Sequence, residues 1–385
     1  MGTTNRRGFI KMGSAVAGFG LTAACSSVKK ESMGSIITTD NSIKYRKLGS
    51  TGFEVSEVGF GAMNMRDPEL VHAAIDMGLN YIDTAHGYMK GVNEEVVGQV
   101  MKTKRDKVFL VTKVHNSEEA NLRKMMELSL KRLQTDHVDT MTLHMPLGRK
   151  ETLDEDCLKI FEQAIKDGLC RFVGVSTHRN HEEVIKAAID SKFWQSVLVA
   201  YNYTSPQSLT EAIKEAHDAG LAVIGMKTQA RGKGYADHNM GDITPNQAAL
   251  KWVLNNPNIN TTIPGVTSFE QIKEDFEVMG MNLSFNTNRE LRRYSETNGK
   301  NYCRGVAGCT ECGGQCPKGV EVSELNRCLG YAYGYNDMEL ARENFKANSL
   351  SSMLDKCRDC GECSVKCVNN INLAENVMRA KILFG

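Results

Sequence analysis

VFLVTKVHNSEEANLRKMMELSLKRLQTDHVDTMTLH, residues 108–144, reads as a strand, a helix and a second strand. Val108–Thr112 is a short apolar run. Leu122, Met125, Met126, Leu130 and Leu133 recur at helical spacing. Val138–Leu143 is a second apolar run. A strand, an amphipathic crossover and another strand place the two strands parallel. Outward from this unit the pattern repeats, with strands predicted at Val58–Gly61, Tyr81–Thr84, Arg171–Val175, Ser196–Ala200, Ala222–Met226 and Thr261–Ile263. Met77-Gly78, Asp167-Gly168 and Ala219-Gly220 close intervening helices with a breaker. Eight strands with crossover helices across residues 43–285 predict an α/β fold, a (β/α)8 TIM barrel. A doubly wound sheet is the rival. Gly59-Phe60-Gly61-Ala62-Met63-Asn64 supports that rival weakly, because Asn64 occupies the third glycine position of a dinucleotide fingerprint.

Barrel chemistry sits at the C-terminal ends of the strands. Those ends present Asp83, with Tyr88 five residues on, then Lys113 after Thr112 and His144 after Leu143. Hydride addition to a carbonyl leaves an alkoxide that needs a proton. An ordinary tyrosine, near pKa 10, is a poor donor at neutrality. An ammonium about 4 Å away, at an effective dielectric near 20, favours phenolate by about 4 kcal/mol. A carboxylate such as Asp83 would hold the lysine charged, and His144 would orient the carbonyl or relay the proton.

These residues lie within motifs that resemble the aldo-keto reductase family over roughly Tyr45 to Val278. Lys47-Leu48-Gly49-Ser50-Thr51-Gly52 with Val55-Ser56 is similar to the family's opening hairpin. Ile82 to Tyr88, with Asn93-Glu94-Glu95-Val96-Val97-Gly98, resembles the segment that carries its catalytic Asp and Tyr. Ser129-Leu130-Lys131-Arg132-Leu133 through Asp139 to His144 resembles its fourth strand, and Gly174-Val175-Ser176 its nicotinamide-contact strand. The resemblance implies that Tyr88 is the general acid/base, that Lys113 and Asp83 tune it, and that His144 completes a tetrad.

It also implies a nicotinamide cofactor, NAD or NADP, bound by Ser176, Thr177, Met226, Lys227, Gly265, Gln271, Glu274 and Asp275. Three positions depart from the family pattern. Thr177 replaces the carboxamide-binding Asn, Leu198 replaces a Gln ahead of Tyr201-Asn202, and Met226-Lys227 replaces a stacking aromatic. The basic residues that grip the 2′-phosphate align with Gly265 and Gln271. An arginine fork, the usual phosphate anchor, is missing there, and Lys273 is the one nearby substitute. NAD is therefore favoured over NADP; the export signal and cluster ligands read below are what suggest that it is tightly held.

His86, His115 and His178 also fall at strand ends. A metal-dependent barrel hydrolase is the rival reading, but neither His-x-His nor His-Glu-x-x-His occurs. Histidines at the mouth suit a polyhydroxylated substrate, so a small carbonyl or alcohol, with sugar as the expected class, is the predicted substrate. Three ordinary rim histidines remain an equal alternative.

Nine of the 12 cysteines lie between Cys303 and Cys367. Cys357-x2-Cys360-x2-Cys363-x3-Cys367 is ferredoxin spacing for a [4Fe–4S] cluster. Cys303-x5-Cys309-x2-Cys312-x3-Cys316-Pro317 is a stretched second group, with Val306 where the first ligand belongs. In the two-cluster scheme Cys316 joins Cys357, Cys360 and Cys363, while Cys367 joins Cys303, Cys309 and Cys312. One or two clusters are expected; zinc and disulfides are the alternatives. Residues 286–385 therefore form a mainly α, ferredoxin-like iron–sulfur domain, similar to the extension of some bacterial aldo-keto reductases. Cys328, without motif spacing, is a core thiol.

Arg6-Arg7-Gly8-Phe9-Ile10-Lys11, followed by the uncharged run Met12–Ala24, resembles a twin-arginine signal. Leu21-Thr22-Ala23-Ala24-Cys25 resembles a lipoprotein cleavage site with Cys25 acylated. Residues 1–31 are read as that signal and 32–42 as a linker. Export by the twin-arginine machinery, a periplasmic location with a lipid anchor at Cys25, and a redox carrier as partner are expected. The whole-chain composition agrees with a folded protein, since 41% hydrophobic and 24% charged residues exclude global disorder. A net charge of +1 argues against nucleic acid as a partner. No apolar run reaches the roughly 20 residues of a membrane span. The expected function is an exported aldo/keto reductase whose electrons pass through the clusters. An electron-transfer or scaffold protein with a vestigial barrel is the alternative.

Overall fold

The chain enters through an antiparallel hairpin of β1 (Tyr45–Lys47) and β2 (Glu54–Ser56). The computed structural model describes residues 43–115, 119–178, 180–229, 243–298, 303, 312–334, 338–357, 360, 363–367 and 371–385. The expected signal and linker, including Cys25, lie outside these residues.

Strands β3 (Phe60–Gly61), β4 (Tyr81–Asp83), β5 (Phe109–Val114), β6 (Val138–His144), β7 (Cys170–Thr177), β8 (Ser196–Ala200), β9 (Ala222–Met226) and β10 (Thr261–Thr262) pair in chain order, all parallel. The two ends meet through parallel bridges, Val58 to Thr262 and Gly61 to Gly265. Closure into a barrel excludes the doubly wound sheet, which leaves its edges open. It also explains the broken glycine fingerprint. A Cβ on Gly61 would stand 2.7 Å from the Ile263 and Pro264 oxygens. The glycine is there so that the first and last strands can touch, with the Gly61 amide donating to Pro264 O at 2.9 Å.

Ten helices wrap the described barrel: α1 (Pro68–Asp76), α2 (Val92–Lys104), α3 (Glu119–Leu133), α4 (Arg149–Thr152), α5 (Glu155–Lys166), α6 (His181–Ser191), α7 (Gln207–Asp218), α8 (Pro245–Leu254), α9 (Phe269–Glu277) and α10 (Phe285–Asn298). Asp67, Asp154, Thr244 and Ser268 cap α1, α5, α8 and α9, each accepting a first-turn amide. The helices' apolar faces bury Val97, Leu122, Met126, Phe161 and Ile185 against the sheet. The hairpin stops the barrel's N-terminal end, where Leu48 and Val55 pack on Tyr81, Phe109, Ala222 and Ile224 at strand starts.

Two strands run further than the apolar runs suggest. Lys113 lies inside β5, and His144 is the last residue of β6, rather than in the loops that follow. Backbone pairing to β6 and β7 continues through them, Lys113 opposite Thr142 and His144 opposite Ser176. Polar side chains hid this from a reading based on hydrophobicity. Helix α10 spans the expected domain boundary, and its Leu291 is buried with Ala248 and Ala249 of α8.

The described tail is helical: α11 (Val322–Leu329), α12 (Met338–Ala347), α13 (Leu350–Asp355) and α14 (Leu373–Phe384), with a short π turn at Gly330–Gly334. It has its own apolar core, including Val322, Leu325, Leu350 and Val377, and Cys328 is fully buried in it. Arg66, after β3, faces Glu339 and Glu343 of α12 at 3.7 and 3.8 Å. Such exposed pairs are worth little alone.

Candidate active site

Asp83 ends β4, Lys113 lies in β5, His144 ends β6, and Tyr88 follows β4 in a short 3-10 turn. The fold brings all four together at the C-terminal end of the barrel. Lys113 is fully buried, Asp83 1% and His144 7% exposed. The ammonium has three protons and meets three acceptors: Asp83 Oδ1 at 2.5 Å, Thr84 O at 2.7 Å and Tyr88 Oη at 3.3 Å. The Thr84 carbonyl is an anchor that sequence reasoning missed, since no side chain announces it.

Burial works against the Lys113 charge, but Asp83 and the Tyr88 oxygen outweigh it and hold the ammonium's pKa above its ordinary value. Burial also pushes the Asp83 carboxyl up, and Lys113 pulls it back. The short contact between them favours the ammonium form of Lys113 and opposes protonation of Asp83. The arrangement can support a phenol oxygen through proton gain or loss, because a buried, fixed cation sits beside it.

His144 stands edge-on to Tyr88, with ring centroids 6.0 Å apart and planes at 81°. His115 lies 4.3 Å and His178 5.7 Å from His144 by centroid. Burial and then the Lys113 cation drive the His144 pKa well below the ordinary value. For His178, burial and then Lys227 do the same. His115 and His86 are also lowered, chiefly by burial. Each imidazole is thus pushed toward its neutral form, which offers one donor and one acceptor. The Nδ1 atoms of His144 and His178 are buried without a protein partner.

This cluster makes stability depend on pH. A histidine with a depressed folded pKa stabilises above its unfolded pKa of about 6.5, and that stability is lost as pH falls. Two such groups should cost about 2–3 kcal/mol between pH 7.5 and 5.5. Guanidinium unfolding at the two pH values measures it, and His178→Gln should remove about half of the dependence. Equal stability at both values would show that the imidazoles are not held neutral by the fold.

The residues expected around a cofactor are partly committed to the fold. Ser176 Oγ accepts from the Met145 amide at 3.1 Å, which supports Met145 at φ +61°. Thr177 Oγ1 lies 3.3 Å from His181 Nδ1. Met226 is buried. Lys227 follows it at φ +56°, with its carbonyl bound by Asn202 Nδ2 at 3.1 Å. Gly265 borders open space, where a Cβ would meet nothing within 4 Å. Gln271 Oε1 accepts from the Thr267 amide at 2.7 Å, and Glu274 accepts from the Thr244 hydroxyl. Asp275, nearly buried, accepts from Gln229 Nε2 at 2.8 Å, and burial pushes its carboxyl well up. Lys273 is turned to solvent, 3.9 Å from Glu277.

Among the described residues, no group of three or more His, Cys, Asp or Glu side chains is arranged to hold a metal ion. Cys309 lies outside the described residues. Cys303 is half-buried, while Cys312, Cys316, Cys357, Cys363 and Cys367 pack against the tail core. Cys360 is exposed. Cys316, Cys360 and Cys363 are nonetheless near enough to Cys357 to raise its pKa, after burial, which is the larger cause.

The Aldo/keto reductase family model matches residues 57–237. The chain is 25% identical over 279 residues to the uncharacterized oxidoreductase YqkF of Bacillus subtilis, covering 61% of this chain and 90% of that one. Over 157 residues it is 31% identical to the aldo-keto reductase YhdN of the same organism, 35% of this chain and 47% of that protein. An aldo-keto reductase from Klebsiella pneumoniae, solved with NADPH, superposes with a TM-score of 0.57 at 27% identity, covering 66% of this chain and 96% of that one. The holo form of aldo-keto reductase AKR11C1 from Bacillus halodurans gives the same TM-score and coverages at 25% identity. Residues 57–237 thus match the Aldo/keto reductase family model, and over its barrel the chain is similar to oxidoreductases of that family, one of them solved with NADPH.

Proposed function

We propose that the barrel interconverts an aldehyde or ketone with its alcohol, with a sugar as substrate, and that it works outside the cytoplasmic membrane. The carrying observation is the Lys113 ammonium shared between Asp83, the Thr84 carbonyl and the Tyr88 hydroxyl. Bound nicotinamide supplies or accepts the hydride. Tyr88 donates a proton to the forming alkoxide, or removes it from the alcohol, and Lys113 steadies the phenolic oxygen. Asp83 keeps Lys113 charged and aimed. The neutral His144 donates a hydrogen bond to the substrate oxygen. His115 and His178 match hydroxyl groups that both give and take hydrogen bonds, which favours a polyhydroxylated substrate.

Ser176, Thr177, Met226 and Lys227 would border the nicotinamide. Gly265, Gln271, Glu274 and Asp275 would border the adenosine end, where the open space over Gly265 leaves room. NADP(H) occupies the Klebsiella structure. In this chain Gly265 and Gln271 stand where basic residues would grip the phosphate, which favours NAD.

For the tail we propose one or two [4Fe–4S] clusters, which supply one-electron transfer when bound. Cys316, Cys357, Cys360 and Cys363 are the first set, supported by the ferredoxin spacing and by the nearness of the other three to Cys357 beside an apolar core. Cys303, Cys309, Cys312 and Cys367 are the second set. The Arg6-Arg7 motif and Cys25 support export by the twin-arginine machinery and a lipid anchor, with a redox carrier as electron partner.

One preparation tests this reading. The full chain, expressed in a bacterium and recovered anaerobically from the membrane and periplasmic fractions, should carry bound NAD and about four iron atoms per cluster. Recovery in the cytoplasm, without iron, and with turnover wholly dependent on added nucleotide would overturn the export, cluster and tight-cofactor proposals together.

A further inference from the structure

The loop that carries Tyr88 has a shape that needs holding. Met89 (φ +49°), Lys90 (φ +56°) and Gly91 (φ +97°) follow it, three consecutive left-handed residues. For the two non-glycine residues this conformation costs about 1–2 kcal/mol each. Such strain persists only where surrounding contacts over-determine it.

Those contacts come from α3 and α2. Arg132 donates through Nη1 to the His86 carbonyl at 3.3 Å and to Glu94 Oε2 at 3.4 Å. Its guanidinium also fills the space beside Gly91, where a Cβ would stand 2.2 Å from Cζ. Gly91 is thus required twice, for its backbone angle and for the arginine. Glu94 has no exposed side-chain surface. Its other oxygen, Oε1, accepts from Thr112 Oγ1 at 2.6 Å. Thr112 precedes Lys113 in β5. Glu94 therefore links the strand that bears Lys113 to the arginine that grips the loop bearing Tyr88.

Replacing a buried charge pair with apolar side chains is often neutral or stabilising, so stability is a weak account of this one. We propose that Glu94 and Arg132 are a positioning pair that sets the distance between the Tyr88 hydroxyl and the Lys113 ammonium. Neither touches the reacting atoms. The charged and titratable groups facing the Tyr88 segment are Asp83 from β4, Lys113 from β5, His115 just after β5, His144 from β6, Glu94 from α2, Arg132 from α3, and His86 and Lys90 within the loop. Without the pair, Met89 and Lys90 relax toward ordinary backbone angles and the hydroxyl leaves the 3.3 Å contact. This inference rests on Tyr88 being the proton-transfer residue.

The test measures reduction of 4-nitrobenzaldehyde by NADH with full-length protein across pH, for wild type, Tyr88→Phe, Glu94→Gln, Arg132→Met and Arg132→Lys. Glu94→Gln and Arg132→Met should lower kcat about 10–100-fold, as a 1 Å misplacement does. KM should stay within about threefold. The basic limb of the kcat/KM profile should move up by about one pH unit as the cation withdraws. Arg132→Lys should restore part of kcat and return the limb toward wild type. Unchanged kcat and profile in Glu94→Gln and Arg132→Met, beside an inactive Tyr88→Phe, would overturn the positioning role alone. Lower kcat with an unmoved limb would also overturn it, since that is what a merely structural role gives. Wild-type turnover in Tyr88→Phe would overturn the parent reading and this one with it. Thermal melts accompany each variant. If Glu94→Gln does not fold, the two Arg132 variants decide, because that side chain is 18% exposed and easier to change.

Discussion

Tyr88→Phe should lower kcat by about 10²–10⁴-fold, the usual worth of a positioned acid/base group. The hydroxyl meets Lys113 Nζ at 3.3 Å, and the ammonium keeps Asp83 and Thr84 O without it. Loss of one such hydrogen bond costs stability only about 1 kcal/mol. The ring still packs edge-on to His144. The variant should therefore fold and bind nucleotide normally, so the loss falls on turnover and not on affinity. Steady-state kinetics with a melting curve and a nucleotide titration would check all three. Wild-type turnover would return the chain to the vestigial-barrel reading, in which the tail alone carries the chemistry.

Lys113→Met should have the second large effect, and it strikes stability as well. Removing one partner of a buried ion pair leaves the other charge uncompensated and typically costs about 3–5 kcal/mol. Asp83 is 1% exposed, and its Oδ2 already lacks a protein partner. The double variant Lys113→Met with Asp83→Asn removes both charges and should regain most of the lost stability. Turnover should stay at its floor in both, because the cation beside the phenol is gone. Denaturant midpoints for the single and double variants measure the first claim, and kcat the second. Equal stability of the two variants would mean that the carboxyl is protonated and the pair is not ionic.

Much of this was legible in the sequence, for physical reasons. Apolar runs at regular spacing marked β8 and β9 to the residue, because both strands are buried on both faces. Asp83, Tyr88, Lys113 and His144 were identifiable because side chains of fixed chemical type recur at strand ends in a βα series. Contacts made by backbone were not legible. The Thr84 carbonyl and the left-handed run at Met89–Gly91 leave no signature of residue type except one glycine. Glu94 and Arg132 stood out only as members of two motifs far apart in sequence; that they meet at 3.4 Å, with Glu94 fully buried, is set by the fold. The tail was legible as a spacing of thiols, whereas their convergence depends on chain closure that spacing alone does not specify.

The placement of His144 within β6 bears on how this barrel can change over evolutionary time. Its side chain shares a strand face with Thr140 and Thr142, while Met141 and Leu143 occupy the other. A single-residue insertion or deletion upstream in that strand would present a neighbour to the site and turn the imidazole into the helical shell. Lys113 in β5 is under the same constraint. Changes of length are therefore barred from the strands that bear these groups, and new substrate preferences must arise in the loops between them.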